Sequence, residues 1–220
     1  IYLLRGNHEI SFVNYCRGFI NDIKKEYGDE SIWDKFNDIF NYLPIAAIID
    51  DQIFCVHGGI TPKLNSFDDI KKIEKPVTAD EFFNVEGFIV DLLWAECDTK
   101  IDDWRPGPNN LSILFGEKAL NEFIQKFNLK MVCRGHEVAD DGICYQFSPN
   151  NSLLTIFSAS KFRLIHNNKA AIVQFNENLE FEVVTFEPLL PKLDRKTAET
   201  YGVDYYVEKQ HNYIKSCEIC

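Results

Sequence analysis

Three short stretches of the sequence each place a histidine close to a glycine at the end of an apolar run. They are Leu4–Glu9, Cys55–Gly59 and Cys133–Glu137. An amide oxygen such as that of Asn7 is a usable ligand for a divalent metal, and the adjacent His8 can donate or accept a proton near neutral pH. Strand ends in open α/β sheets converge to form sites, so we predict that the three stretches meet. Taken alone, Leu4–Glu9 fits an ordinary strand-to-helix turn with polar caps equally well.

The elements that must carry the first stretch are a short strand and two helices. The alternation of apolar residues at Ile1–Leu3 predicts a buried strand that leads into the turn. Apolar residues then recur every three or four positions, at Phe12, Tyr15, Phe19 and Ile23. This spacing predicts one amphipathic helix that ends near Gly28, a natural C-cap. Ser31 is predicted to cap a second helix, whose apolar face includes Phe40.

Further strands are predicted to carry the other two histidines. Ile45–Ile49 and Ile53–Val56 are predicted to form a hairpin that ends at His57, and Leu129–Cys133 a strand that ends just before His136. The remaining predicted elements are a polar loop at Asp98–Asn110, a helix at Glu117–Phe127, and strands at Ile143–Phe147, Leu153–Phe157, Ala170–Phe175 and Phe181–Phe186.

The composition limits the class of protein. A chain of 220 residues with 45% hydrophobic residues can bury a substantial core. The net charge of -11 disfavours nucleic acid as the main partner, because binding a phosphate backbone requires a basic stripe. No apolar run approaches the ~18 residues of a membrane span. The seven cysteines are scattered, and several lie inside apolar runs, which indicates buried thiols in the cytoplasm or nucleus.

The three histidine stretches, in this order and spacing, resemble the serine/threonine phosphoprotein phosphatase family, in particular the group of protein phosphatase 1, protein phosphatase 2A and calcineurin. Three further stretches fit the resemblance: Leu43–Ala47, Asp91–Trp94 and Thr155–Ala159. The similarity extends from Ile1 to about Pro188. It implies an α/β metallophosphoesterase fold, a β-sandwich flanked by helices. We therefore expect a catalytic-domain part at 1–188 and a C-terminal tail at 189–220.

Two motifs of that family are absent from the 220 residues. GDxHG and GDxxDRG supply the ligands of the first metal and the bridging aspartate in the family, and nothing here matches either. The resemblance therefore implies that the chain lacks the first βαβ portion of the fold and carries only the second half of a dinuclear site. We expect two divalent metals (Mn, Fe or Zn) in a complete protein, and no activity from the 220 residues alone.

The resemblance also assigns roles to individual residues. Asn7, His57 and His136 would hold the second metal. His8 would be the general acid that protonates the leaving serine or threonine oxygen, or the residue that orients the nucleophile. The implied activity is hydrolysis of phosphoserine and phosphothreonine in a phosphoprotein substrate, with possible regulatory subunits as further partners.

Three departures from the family pattern affect how the substrate is held. Asn109 stands where the family has an arginine that binds the substrate phosphate, and Arg105 is a possible substitute. Phe162 replaces a site tyrosine and lacks its hydroxyl, and Glu96 stands where the family has aspartate. Two alternatives follow: a pseudophosphatase that binds phosphoproteins without turnover, and a phosphoesterase of the same fold that acts on nucleotides or small phosphates.

Overall fold

The computed structural model of the chain describes residues 1–80, 87–107, 110–147, 151–164 and 166–188. It has a mixed α/β fold, which confirms the predicted class. The described helices are α1 (Ser11–Cys16), α2 (Phe19–Tyr27), α3 (Ser31–Phe40), α4 (Phe67–Lys71), α5 (Phe88–Trp94) and α6 (Glu117–Phe127). The described strands are β1 (Ala46–Ile49), β2 (Ile53–Val56), β3 (Glu96–Cys97), β4 (Trp104–Pro106), β5 (Ile113–Phe115), β6 (Met131–Arg134), β7 (Ile143–Tyr145), β8 (Leu153–Ile156), β9 (Ala170–Phe175) and β10 (Phe181–Phe186).

A five-stranded sheet in the order β1-β2-β6-β8-β7 forms the centre of the molecule. Strands β2, β6 and β8 are parallel, and the antiparallel strands β1 and β7 lie at the two edges. The register of β2 against β6 runs from Ile53 opposite Met131 to Val56 opposite Arg134. Both strands therefore end at the same edge of the sheet, as parallel strands must.

The core follows from the alternation of side chains along the parallel strands. On β2, Phe54 and Val56 pack into the larger apolar cluster, whereas Ile53 packs into a second cluster on the opposite face. Parallel strands are covered on both faces, which is why β2 and β6 are near-continuous apolar runs. The hairpin of β9 and β10 contributes Val173 and Phe181 to the second cluster.

The helical region differs from the prediction in two places. The predicted single helix after Phe12 is two helices, because Gly18 has a left-handed φ of 89° and breaks the chain direction between α1 and α2. Gly28 ends α2 in a left-handed conformation, as predicted. The predicted cap at Ser31 is wrong: Ser31 is inside the helix, and the Asp29 carboxylate accepts its backbone N–H at 2.9 Å.

The predicted buried strand at Ile1–Leu3 is also wrong. These residues belong to no strand of the described chain, and their side chains are exposed. A strand needs a continuous ladder of hydrogen bonds, and the backbone hydrogen bond nearest to this segment is the one that the following Arg5 N–H donates to the Pro44 carbonyl, at 2.8 Å.

The predicted polar loop at Asp98–Asn110 is a fourth correction, because it contains the strand β4. Strand β4 pairs antiparallel with β5, and β3 pairs parallel with β5, so that a small three-stranded sheet forms. The other predicted strands and α6 are confirmed to within two residues at each end. In the described part of the chain, no helix has the length and apolar character needed to cross a membrane.

A buried network of amides joins α1 to α3. The Asn14 side chain donates to Asn37 Oδ1 at 2.7 Å and accepts from Trp33 Nε1 at 2.6 Å. Asn37 in turn donates to the Trp33 carbonyl at 2.8 Å. Both asparagines are buried, so each hydrogen bond replaces one that water would otherwise make.

We predict that Asn14→Ala destabilises the fold. The substitution leaves the Trp33 indole N–H and the Asn37 amide without their partner, and an unsatisfied buried polar group costs roughly 1–3 kcal/mol. Urea denaturation followed by circular dichroism should show the free energy of unfolding reduced by about 2 kcal/mol. Asn21→Ala, at an exposed position of α2, is the matched control and should change it by less than about 0.5 kcal/mol. Equal effects of the two substitutions would contradict the network.

Candidate metal centre

The structure brings together the three residues that were predicted as metal ligands. His57 Nε2 lies 2.9 Å from Asn7 Oδ1 and 3.3 Å from His136 Nδ1. Asn7 comes from the 3-10 turn Asn7–Glu9, His57 directly follows β2, and His136 lies two residues after the end of β6. One amide oxygen and two imidazole nitrogens therefore converge at one edge of the central sheet.

The spacing of these donor atoms fits a divalent metal. Two ligands that each lie about 2.1 Å from a metal, at the angles of tetrahedral or octahedral coordination, are separated by roughly 3.0–3.4 Å. The two distances at His57 Nε2, 2.9 and 3.3 Å, lie at or close to this range. In the described part of the chain, no group of three residues drawn from His, Cys, Asp and Glu could hold a metal. The set of Asn7, His57 and His136, called the metal trio below, is of a different kind because one of its members is an asparagine.

Two glycines allow the loops to approach closely enough. A Cβ at Gly6 would lie 2.6 Å from Glu9 Oε2 and 3.0 Å from His57 Cε1, so a side chain there would push His57 away from Asn7. Gly58 N–H donates to the Leu92 carbonyl at 2.8 Å, which fixes the loop after β2 against the end of α5. The parallel ladder continues past the strands through Gly135 N–H, which donates to the His57 carbonyl at 3.1 Å.

His136 is held by its backbone and by a carboxylate. Its φ of 67° lies in the left-handed region, which turns the ring out of the direction of β6 and toward His57. Its Nε2 lies 3.6 Å from Glu96 Oε1, so the ring presents Nδ1 to the trio and Nε2 to the acid. The interaction with His136 lowers the pKa of Glu96. A carboxylate behind a metal-binding histidine fixes its tautomer and orientation.

The buried guanidinium of Arg134 connects the loops around the trio. Its Nε donates to the Gly58 carbonyl and its Nη1 to Glu137 Oε2, both in short contacts. Further donors reach Thr155 Oγ1 and the Ala95 carbonyl, each at 3.3 Å. The side chain of Arg134 has no exposed surface, so these acceptors replace its entire water shell. This role of Arg134 was not predicted from the sequence. The signal that could have indicated it is an arginine at the end of a run of apolar residues that forms a buried strand.

Arg5 performs a similar task on the other side of Asn7. Its guanidinium donates to the Glu9 carbonyl at 2.8 and 3.0 Å, to the Val77 carbonyl at 2.7 Å and to Asn41 Oδ1 at 3.1 Å. Burial lowers the pKa of Arg5 to about 10, and Glu9 opposes the shift. The turn that carries Asn7 and His8 is therefore fixed to the segments after α3 and α4.

The environment keeps two of the histidines neutral. The pKa of His57 is lowered to about 3, first by desolvation and then by the charges of His136, Arg134 and His8. The pKa of His8 is lowered to about 4: desolvation by close neighbours is the largest cause, although the residue as a whole is exposed, and Arg17, His136 and Arg163 add to it. Neutral imidazole is the form that binds a metal.

Comparison with known proteins decides the family. The sequence profile of the calcineurin-like phosphoesterase family matches residues 1–140. The chain belongs to the calcineurin-like phosphoesterase family. This finding, together with the structural similarity described next, confirms the resemblance to phosphoprotein phosphatases and the metallophosphoesterase fold class.

A solved structure supports the same family. A protein serine/threonine phosphatase from Saccharomyces cerevisiae, described as similar to human phosphatase PP5, superposes with a TM-score of 0.72 at 25% sequence identity. The match covers 86% of this chain and 61% of the yeast chain. This member of the calcineurin-like phosphoesterases thus spans less than two thirds of the length of that relative.

Of the two residues considered for holding the substrate phosphate, Arg105 and Asn109, the structure describes only Arg105. Asn109 lies outside the described residues, as does the predicted tail at 189–220. Arg105 is exposed and lines a cavity of about 410 Å³ together with Lys63 and Asp91. None of the three predicted metal ligands lines that cavity. Phe162 packs edge-on against Phe157, with ring centroids 5.3 Å apart, so an aromatic contact occupies the position of the family tyrosine.

We predict that Glu96→Gln weakens metal binding without unfolding the chain. Without the carboxylate, the ring of His136 is no longer held in one orientation. Removal of a group that hydrogen-bonds to a metal ligand typically lowers the metal affinity about 10–100-fold. Titration of the 220-residue chain with Mn²⁺ or Zn²⁺ by calorimetry should show one site, weakened at least about tenfold by Glu96→Gln. His57→Ala should abolish that site, whereas His166→Ala, at an exposed histidine, is the control. An unchanged affinity in Glu96→Gln would show that Glu96 does not act on the metal centre.

Proposed function

We propose that the chain is the part of a metal-dependent protein serine/threonine phosphatase that supplies the second half of a dinuclear metal site. The observation that carries the proposal is the convergence of Asn7 Oδ1, His57 Nε2 and His136 Nδ1, with His8 directly after Asn7 in the chain. One amide oxygen and two imidazole nitrogens suit Mn²⁺, Fe²⁺ or Zn²⁺, which accept imidazole and amide ligands together. A bound metal pair would supply Lewis acidity to the phosphoryl group.

His8 has the position and exposure of a group that meets the substrate. His8 directly follows the proposed ligand Asn7 in the chain. Its exposed ring borders a cavity, which Arg17 also lines, instead of joining the three proposed metal ligands. A pKa of about 4 makes the free ring neutral at pH 7, so that it can accept a proton or a hydrogen bond. A phosphate dianion beside it would raise its pKa and favour the protonated ring, the form that can donate to a leaving alkoxide.

The loss of a tyrosine hydroxyl favours a second candidate function. Phe162 cannot donate a hydrogen bond to a phosphate oxygen, which is consistent with a phosphoprotein-binding scaffold that does not turn over. The scaffold and the phosphatase share the metal trio and differ in turnover. A phosphoesterase acting on nucleotides or small phosphates is the remaining alternative.

The experiment that separates these functions is a substrate panel. A form of the protein that also carries the GDxHG and GDxxDRG motifs should release phosphate from a phosphoserine or phosphothreonine peptide with Mn²⁺, in preference to a dinucleotide and an aryl phosphate. The 220-residue chain should show no turnover with any of them. If the longer form is inactive with Mn²⁺, Fe²⁺ and Zn²⁺, the scaffold function replaces the phosphatase.

Two substitutions in the same longer form test the division of roles. His8→Ala should lower kcat by roughly 10²–10⁴-fold, the usual contribution of acid–base catalysis, with little change in metal affinity. Asn7→Ala should weaken metal binding and lose activity as a consequence, so excess Mn²⁺ should restore part of it. Equal loss of turnover and metal affinity in His8→Ala would make His8 a ligand or a structural residue.

The proposed compartment is the cytosol or nucleus, and the proposed partners are a phosphoprotein substrate and regulatory subunits. Support for the compartment comes from the described cysteines, none of which forms a disulfide within the part of the chain that the structure describes. Cys133 is buried and Cys55 is partly buried, as expected for thiols that serve as small apolar residues in a reducing environment.

A further inference from the structure

Two cysteines lie opposite each other in the five-stranded sheet. In the parallel register of β2 and β6, Cys55 is the direct partner of Cys133. Neighbouring strands of a sheet lie about 4.8 Å apart, and a disulfide needs a Cα separation of about 4.4–6.8 Å. The two positions therefore meet the first geometric requirement for a covalent bond between the strands.

Both thiols lie on the same face of the sheet. Cys133 is a buried member of the second apolar cluster, and Cys55 packs against that cluster. Side chains alternate along a strand, so each cysteine shares this face with the apolar residue two positions before it, Ile53 on β2 and Met131 on β6. Cysteines whose Cβ atoms point apart cannot be bridged, so the shared face meets the second requirement.

The other cysteines in the described strands face different kinds of residue. Cys97 on β3 lies opposite Phe115, and Cys144 on β7 lies opposite Thr155. Neither can form a disulfide with the residue across from it. Within the ladders of the described chain, only the cysteines of β2 and β6 are placed to bond across a paired position.

The two facing thiols differ in exposure. Cys133 is buried, with 6% of its surface exposed, whereas Cys55 is partly exposed. A small oxidant can therefore reach the Cys55 sulfur, while Cys133 lies beside it and shielded from solvent. An accessible cysteine next to a second one that can resolve its oxidised form is the usual arrangement of a redox-sensitive pair.

We propose that Cys55 and Cys133 are a modification site, at which a hydroperoxide such as hydrogen peroxide forms a reversible disulfide between β2 and β6. The Cys55 sulfur attacks one peroxide oxygen, the O–O bond breaks, and the thiol proton leaves with the other oxygen as water, so that Cys55 becomes a sulfenic acid. The Cys133 sulfur then attacks the Cys55 sulfur, the S–O bond breaks, and the hydroxyl leaves with the Cys133 proton as a second water. The two thiols lose two electrons, and the peroxide is reduced to two molecules of water.

The bond would join the two strands that carry proposed metal ligands. Cys55 lies two residues before His57, and Cys133 lies three residues before His136. In a reducing compartment such a bond is transient, because exchange with small thiols reverses it. The inference goes beyond the proposed function and does not depend on it, since the two thiols face each other whether or not the protein hydrolyses a phosphate.

The test is oxidation of the folded 220-residue chain by hydrogen peroxide. The remaining thiols are then alkylated, and the chain is digested with trypsin and mapped by mass spectrometry without reduction. Trypsin leaves the two cysteines in separate peptides, 36–63 and 131–134. We expect these two peptides to be joined, with a mass smaller by two hydrogen atoms than the sum of the separate peptides. Dithiothreitol should restore both.

Three substitutions assign the roles of the thiols. In Cys133→Ala, the sulfenic acid on Cys55 has no thiol to resolve it, so dimedone, a reagent for sulfenic acids, should label peptide 36–63. In Cys55→Ala, the shielded Cys133 should stay unmodified at the peroxide concentration that links the native chain. Cys144→Ala is the matched control: it removes an exposed cysteine and should leave the link unchanged. Thermal unfolding of every variant checks its fold.

The proposal is overturned if the oxidised native chain contains no link between peptides 36–63 and 131–134, or if Cys55 is joined instead to another peptide, such as 216–220. It is also overturned if the link forms as readily in a chain unfolded by urea before oxidation, because the folded register would then have no part in it. These outcomes are read from the native sequence, so they decide the matter even if a substitution prevents folding. A dimedone label on peptide 131–134 of Cys55→Ala would overturn the assignment of Cys55 as the first thiol oxidised.

Discussion

The geometry at the end of the central sheet depends on the buried guanidinium of Arg134. A permanent charge without contact to water must find an acceptor for nearly every N–H, and the acceptors here come from four different segments of the chain. The loop after β2, the end of α5, the loop after β6 and strand β8 are therefore fixed relative to one another before any ligand binds. Asn7, His57 and His136, the proposed metal ligands, lie within this frame, and the protein itself sets the distances between their donor atoms.

The convergence of Asn7, His57 and His136 could be predicted from the sequence because its signals are local. Each of the three residues follows a short apolar run and lies beside a glycine, and the parallel sheet then brings the ends of β2 and β6 together. The hairpin before His57 and the helix α6 were predictable for the same reason, since alternation and helical spacing are read within one segment. The family resemblance added the role of Asn7, which no pattern of apolar residues indicates.

The features that the sequence left hidden depend on contacts between distant segments. The break at Gly18 was masked by an apolar spacing that continues across it, and the pairing of β3 and β4 with β5 required partners far along the chain. The contact of Glu96 with His136 likewise joins residues separated by a long stretch of sequence. Such contacts are products of the tertiary fold, and single-segment patterns carry no information on them.

The parallel register of β2 and β6 has a consequence for how this protein can change over evolution. Because Val56 lies opposite Arg134, the histidines emerge only one residue out of step. A single residue inserted in either strand would shift one histidine by about 3.3 Å along the sheet and turn its side chain to the opposite face, which would separate the donors. Loops between the two strands that do not contact this edge of the sheet lack this constraint, whereas Leu92, Ala95 and Glu96 are held by Gly58, Arg134 and His136. Variation in length should therefore accumulate in the loops between Ile60 and Lys130 outside this held segment, while the two four-residue strands keep their lengths.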